Sequence, residues 1–254
     1  MSNTLPPPRI YRHGYGIRRE ELAVAVKKTR AEVQNAIHSA HVHNEDPDLG
    51  GWNLSGVDLS GMDLRWVNLH LANLSSASLA NCDFEGAHLY GADLSGADLE
   101  YAGFDVANVR NANLQGANLK ETSWSDCNLG RASLAGADLS GADFEDSSFR
   151  RACLRGASFR GAYLYDVDLG GADLLWADFT RTALRLEVSK DLEERLLDVK
   201  GLSTSYADHW GDPGAWRLLL PKDPEVRALT ERLLDDWDGP LREAIAAAEV
   251  LRAA

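Results

Sequence analysis

The chain has 254 residues, 44% of them aliphatic or aromatic and 26% charged, the balance of a folded water-soluble protein. A formal charge of −13 sets it against direct nucleic-acid binding and points to a basic partner. No apolar run is long enough to span a bilayer, and the opening MSNTLPPPRIYRHGYG lacks the apolar core of a secretory signal. Three cysteines without motif spacing suit a reducing compartment, so a cytoplasmic protein is expected.

In chain order, residues 1–50 read as an N-terminal arm and a capping helix. From Arg18 to His41, the residues Leu22, Val26, Val33, Ile37 and Ala40 fall on one helical face. The HSAHVHNEDPD stretch after it holds His38, His41 and His43, followed by Glu45, Asp46 and Asp48. That spacing fits no standard zinc pattern, and it reads as the polar end of the helix.

Residues 51–185 follow one rule. Stepping by five from Leu54 meets Leu59, Leu64, Leu69 and so on to Leu184, giving 27 registers without a polar residue or an insertion. Two places before each large residue stands a small one, mostly Ala, with Cys82, Thr122, Cys127, Ser147 and Thr182 among the exceptions. Neither a helical nor a strand period fits, so the repeat sets the fold.

This five-residue pattern resembles the pentapeptide-repeat family. The resemblance implies an all-β solenoid, a right-handed quadrilateral β-helix of about seven coils with four repeats per coil. The large and small residues would both point inward, and only Ala-sized neighbours leave room for Leu or Phe at native packing density. Trp52, Val57, Met62 and Val67 are too large for that small position, and read as a widened floor for the cap.

Residues 186–254 read as a C-terminal helical module. EVSKDLEERLLDVKG suggests a helix ended by glycine, followed by an aromatic-rich loop and two helices begun by Pro224 and Pro240. Trp210, Trp216 and Trp237 are candidate contacts for a partner or for a second copy.

With twenty residues per coil, positions twenty apart share a face. Leu64, Phe84, Phe104, Trp124, Phe144 and Leu164 then form an inward ladder. Outside that ladder lie Asp63, Asp83, Glu85, Asp105, Asp126, Asp143, Glu145, Asp146 and Asp166, a candidate acidic partner-binding face opposed only by Arg65 and Arg185. The next face carries His70, Arg110, Arg131, Arg150 and Arg151, a candidate basic face. A third is nearly neutral, with Asn53, Ser55, Asn73, Ser75, Ser95, Ser133 and a column of glycines. The acids fall at roughly one per 2.7 Å of rod, against about 3.4 Å between phosphates of one DNA strand.

Catalytic residues, cofactor sites and metal sites are not expected. Cys153, His70 and His88 stand alone on their columns, and no phosphate-binding or dinucleotide motif occurs. Any enzyme site would have to lie between rod and tail near His209, Trp210 and Trp216. The reading is therefore a non-catalytic interaction rod. In its sharper form it is a DNA mimic acting on a type II topoisomerase (gyrase) and protecting it from an inhibitor, as the family resemblance implies. The alternative is an assembly scaffold that binds a partner or itself through the neutral face or the tail.

Overall fold

The computed structural model describes residues 26–185, 196, 199, 224–234 and 241–253. Helix α1 spans Arg30–Val42. Strands β1 (Asp143–Glu145), β2 (Tyr163–Tyr165) and β3 (Ala183–Arg185) form a parallel sheet in that order, and helices α2 (Pro224–Leu234) and α3 (Leu241–Ala253) follow.

Between α1 and β3 the backbone pairs with itself at one fixed interval. Parallel bridges join Asp48 to Asn68, Asn53 to Asn73, Asp58 to Ser78 and Asp63 to Asp83, and continue at the same step to Ser158 and Asp178. The sheet keeps the interval, with Phe144 opposite Leu164 and Leu164 opposite Leu184. Twenty residues thus complete one circuit, with a bridge at every fifth residue and four sides per coil. The stacking starts at Asp48, so the first repeat precedes Leu54.

One unit, Ala92 to Gly96, shows why the sequence repeats. The Ala92 amide donates to Leu89 O (3.0 Å) within the turn, Asp93 N to Ala72 O (2.9 Å) one coil back, and Leu94 N to Asn113 O (2.7 Å) one coil on. Gly96 N donates to Gln115 O at 2.9 Å. The Ser95 amide alone lacks a backbone acceptor, and the Asp93 carboxylate supplies one at 3.1 Å. The same short-range cap recurs at Asn53, Asp58, Asn73, Asp98, Asp138 and Asp173. Asp or Asn is therefore written here because it satisfies an otherwise orphaned amide through an Asx turn. Gly96 itself sits at φ 62°, and the glycine column of the neutral face (56, 96, 116, 136 and 156) occupies this left-handed turn position throughout.

The lumen is filled by side chains. Every large inward residue from Leu49 to Phe179 is at most 1% exposed. Phe84, Phe104, Trp124 and Phe144 stack along one side, with ring centroids 4.8, 4.0 and 5.6 Å apart. The exceptions to Ala bond to lumen carbonyls: Cys82 Sγ to Leu59 O (3.1 Å), Cys127 Sγ to Phe104 O (2.6 Å) and Thr182 Oγ1 to Phe159 O (2.7 Å). Ser147 Oγ donates to Trp124 O and accepts from Cys127 N at 2.9 Å, bridging a turn that is closed elsewhere by a direct amide-to-carbonyl bond.

Helix α1 is shorter than the sequence suggests. Thr29 caps it, accepting from Glu32 N while Glu32 reaches back to the Thr29 amide, a reciprocal box that fixes the start at Arg30. Val26, expected on its buried face, lies before the helix and is 81% exposed; Lys27 instead bridges to Asn53. Arg18 and Leu22 lie outside the described residues. Val33 is fully buried in the same core cluster as Val57, Met62 and Val67, with Ala36, Ile37 and Trp52 packed beside it. Arg30 ties the helix down by donating to Asp58 O (3.2 Å) and Ser60 O (3.1 Å). At the other end Leu196, Val199 and Ala244 of α3 belong to that same cluster.

Candidate partner-binding surface

The twenty-residue circuit settles which outward residues are neighbours. Asp63 lies beside Asp83 in the ladder, Asp83 beside Gly103, and Ser123 beside Asp143; Glu145 faces Tyr165, and Tyr165 faces Arg185. The ladder thus carries Asp63, Asp83, Asp143 and Glu145, while Asp126, Asp146 and Asp166 stand in the adjoining turn column that also holds Trp66.

The nine acids do not share one environment. Arg65 closes the N-terminal end, with Nη2 2.7 Å from Asp63 Oδ2 and Nε 3.5 Å from Asp83 Oδ2. Its hydrogen bond holds the Asp63 carboxyl below the usual carboxylate range. Arg185 closes the other end against Asp166, its guanidinium lying 5.5 Å from the centre of the Tyr165 ring. Between them Glu85, Asp105, Asp126, Asp143, Glu145 and Asp146 form no ion pair with any described residue. Asp105 has a structural duty, accepting from Ser125 N at 2.9 Å across the coil boundary. Burial, then the nearby Asp105 charge, push the Asp143 carboxyl above its ordinary value. Asp126 and Asp146 stand at left-handed turn positions and are exposed.

The basic face is less uniform than its sequence. Arg150 pairs with Asp168 at 3.0 Å, as Arg155 does with Asp173 (3.5 Å) and Arg160 with Asp178 (3.0 Å), each reaching one coil onward. Arg110, Arg131 and Arg151 form no ion pair with a described residue and are exposed. Trp210, Trp216, Trp237 and His209 lie outside the described residues.

The histidines and cysteines are dispersed. His38, His41 and His43 are exposed along α1, and His43 Nδ1 lies 2.7 Å from Ser39 O. Among the described residues no group of three or more His, Cys, Asp or Glu side chains is placed to hold a metal. Cys153 sits between Ser133 and Asp173, half-buried, whereas Cys82 and Cys127 are buried in the lumen. No helix among the described residues is long and apolar enough to cross a membrane.

One feature escaped the sequence reading. Trp66, Tyr90, His70 and His88 line an open groove at the corner between the acidic and basic faces, with Asp46 and Asp48 on its rim. The available signal was a tryptophan at Trp66, a left-handed turn position (φ 60°) where glycine or asparagine folds most readily.

Side-chain-filled coils stacked at twenty-residue intervals define a pentapeptide β-solenoid. The family model for pentapeptide repeats matches residues 68–105, 112–151 and 143–181, and the chain belongs to that family, whose members form right-handed quadrilateral β-helices. Among solved structures the chain is similar to trypsin-treated QnrB1, described as a plasmid-mediated fluoroquinolone resistance protein. That match has 20% identity and a TM-score of 0.47, covering 56% of this chain and 72% of that one. It is similar to HetL, a protein involved in heterocyst differentiation regulation from Nostoc sp. strain PCC 7120, with 29% identity, a TM-score of 0.25 and the same coverage. It is also similar to Rfr23 from Cyanothece 51142, with 23% identity and a TM-score of 0.31, covering 61% of this chain and 99% of that one. No curated protein matches the sequence.

Proposed function

We propose that this protein is a non-catalytic interaction rod of about seven coils, closed at its N-terminal end by α1, whose acidic ridge occupies a cationic DNA-binding surface on a protein partner. One observation carries the reading: six carboxylates from Glu85 to Asp146 lie along this face and its adjoining turn without an ion pair to a described residue. They span three coil steps, about 14 Å at strand spacing. Their linear density is comparable to that of phosphates, about 3.4 Å apart along one DNA strand. Charges held on a rigid ladder lose little entropy when a partner meets them, so binding gains from preorganisation.

The partner assigned is a type II topoisomerase such as gyrase, whose cationic saddle normally receives duplex DNA. Purified gyrase tests this in a supercoiling assay run with and without a fluoroquinolone. The reading expects micromolar protein to inhibit supercoiling or to relieve the drug. No effect on either reaction removes the topoisomerase assignment.

A further inference from the structure

We infer that the corner groove at Trp66 is an anchor site for an arginine side chain presented by a protein partner. Trp66 and Tyr90 supply its aromatic faces, and Asp46 and Asp48 its carboxylates. The inference stands on the groove's own residues and goes beyond the ridge.

The indole is held in place. Its ring lies against Gly86, where a Cβ would come within 2.4 Å of Trp66 Cε3 and Cζ3, so only glycine leaves it room. Half of Trp66 (52%) nevertheless remains exposed. Leu71, Tyr101, Val106 and Trp176 hold the same left-handed turn elsewhere in the rod, so what distinguishes Trp66 is the groove it lines rather than its backbone. Tyr90, 39% exposed, is backed by His70, the two rings stacked 5.3 Å apart.

Among the described residues that line it, the groove has acceptors and no Lys or Arg. Asp48 Oδ1 accepts from Gly50 N (2.9 Å) and Asn68 Nδ2 (2.8 Å), which leaves Oδ2 for a ligand. Asp46 bonds to no described residue and is exposed. Burial lowers the His70 pKa and so disfavours its charged form. Arg110, next along the Tyr90 column, leans away, its Nε 3.8 Å from the Cβ position of Gly130. Aromatic faces beside free carboxylates suit a guanidinium, which stacks on a ring while its fork donates to a carboxylate. An ammonium offers no planar face to stack. The groove is open and shallow, so it fits a side chain delivered by a larger surface rather than an enclosed metabolite.

The test is a titration of the full chain with the blocked dipeptide N-acetyl-Arg-Arg-amide, followed by NMR of the Trp66 indole. The inference expects a saturable shift there and at the Tyr90 ring; the Tyr90 signal, which Trp66→Asn leaves in place, should titrate at least tenfold more weakly in Trp66→Asn and in the double variant Asp46→Asn/Asp48→Asn. Asparagine tolerates the left-handed turn at 66 and keeps the Oδ1 acceptor at 48. If Trp66→Asn fails to fold, the double variant decides. The citrulline analogue should not bind, and the lysine analogue should bind at least threefold more weakly. Equal binding of the lysine peptide, affinities within twofold of wild type in the decisive variant, or shifts confined to ridge residues would each overturn it. Neutralising Glu145 and Asp146 separates the two surfaces, since the groove signal should survive that change.

Discussion

Inside the lumen the Trp124 indole Nε1 donates to Thr122 Oγ1 at 2.7 Å, and Thr122 Oγ1 donates to Leu119 O at 2.7 Å. Both side chains are at most 1% exposed. Thr122 thus breaks the alanine rule because the one indole in the aromatic ladder needs an acceptor. Thr122→Ala should lose about 1–3 kcal/mol in denaturant unfolding, because a buried donor is left unsatisfied. Adding Trp124→Phe, which removes that donor, should recover part of the loss. A strictly additive double variant would show that the pair is not coupled.

Glycine turn positions should separate into two classes. At Gly116 (φ 63°) no atom lies within 4 Å of an added Cβ, so Gly116→Ala meets only left-handed strain, about 1–2 kcal/mol. At Gly86 (φ 64°) the same Cβ collides with the Trp66 ring. Gly86→Ala should therefore be the more destabilising, and Trp66→Asn should relieve the excess. Thermal melts of the three variants check this, and equal losses at both glycines would contradict the packing.

Acid should weaken the N-terminal coils through Asp58 and Asp63. The Ser60 amide holds the Asp58 carboxyl low, and the Arg65 guanidinium does the same for Asp63. Groups with a lowered folded pKa stabilise the fold above their unfolded value and lose that contribution as pH falls through the folded value, here below about pH 4. Asp143 has the opposite sign. Its folded pKa is raised by burial and then by Asp105, so its ionised form opposes folding at neutral pH. Melting curves from pH 7 to pH 3 should show a fall at the acid end that Asp63→Asn reduces. At pH 7, Asp143→Asn should raise the melting temperature.

Thiol accessibility should follow the alanine rule too. Cys82 and Cys127 fill lumen positions, and burial pushes their thiols up to about 11 and about 12. Cys153 lies on the outer ladder, half-buried. Iodoacetamide at pH 8 should modify one thiol, Cys153, in the native protein and all three in denaturant. Rapid loss of two or more native thiols would mean that the coils open.

The rod was legible because its demands repeat: each Leu, each Ala and each Asp or Asn answers the same packing or amide requirement every five residues. Features used once were harder to read. The α1 start depended on Thr29 and Glu32 facing each other, and the periodic face running back through Val26 concealed that box. Arg150 resembled Arg131 in sequence, yet Asp168 on the following coil ties it down. The Trp66 groove was missed because it joins residues from the post-helix loop and two coils, and only the fold brings Asp46 beside Tyr90.

Charge placement, rather than charge total, is the core of the functional account, and two variants of equal net charge measure it. One neutralises Glu85, Asp126, Glu145 and Asp146 on the ridge; the other neutralises Glu45, Glu100, Glu243 and Glu249, away from it. In the gyrase supercoiling assay the first should lose potency at least tenfold, and the second should stay within twofold of wild type. Equal potency of the two would contradict a ridge-specific contact.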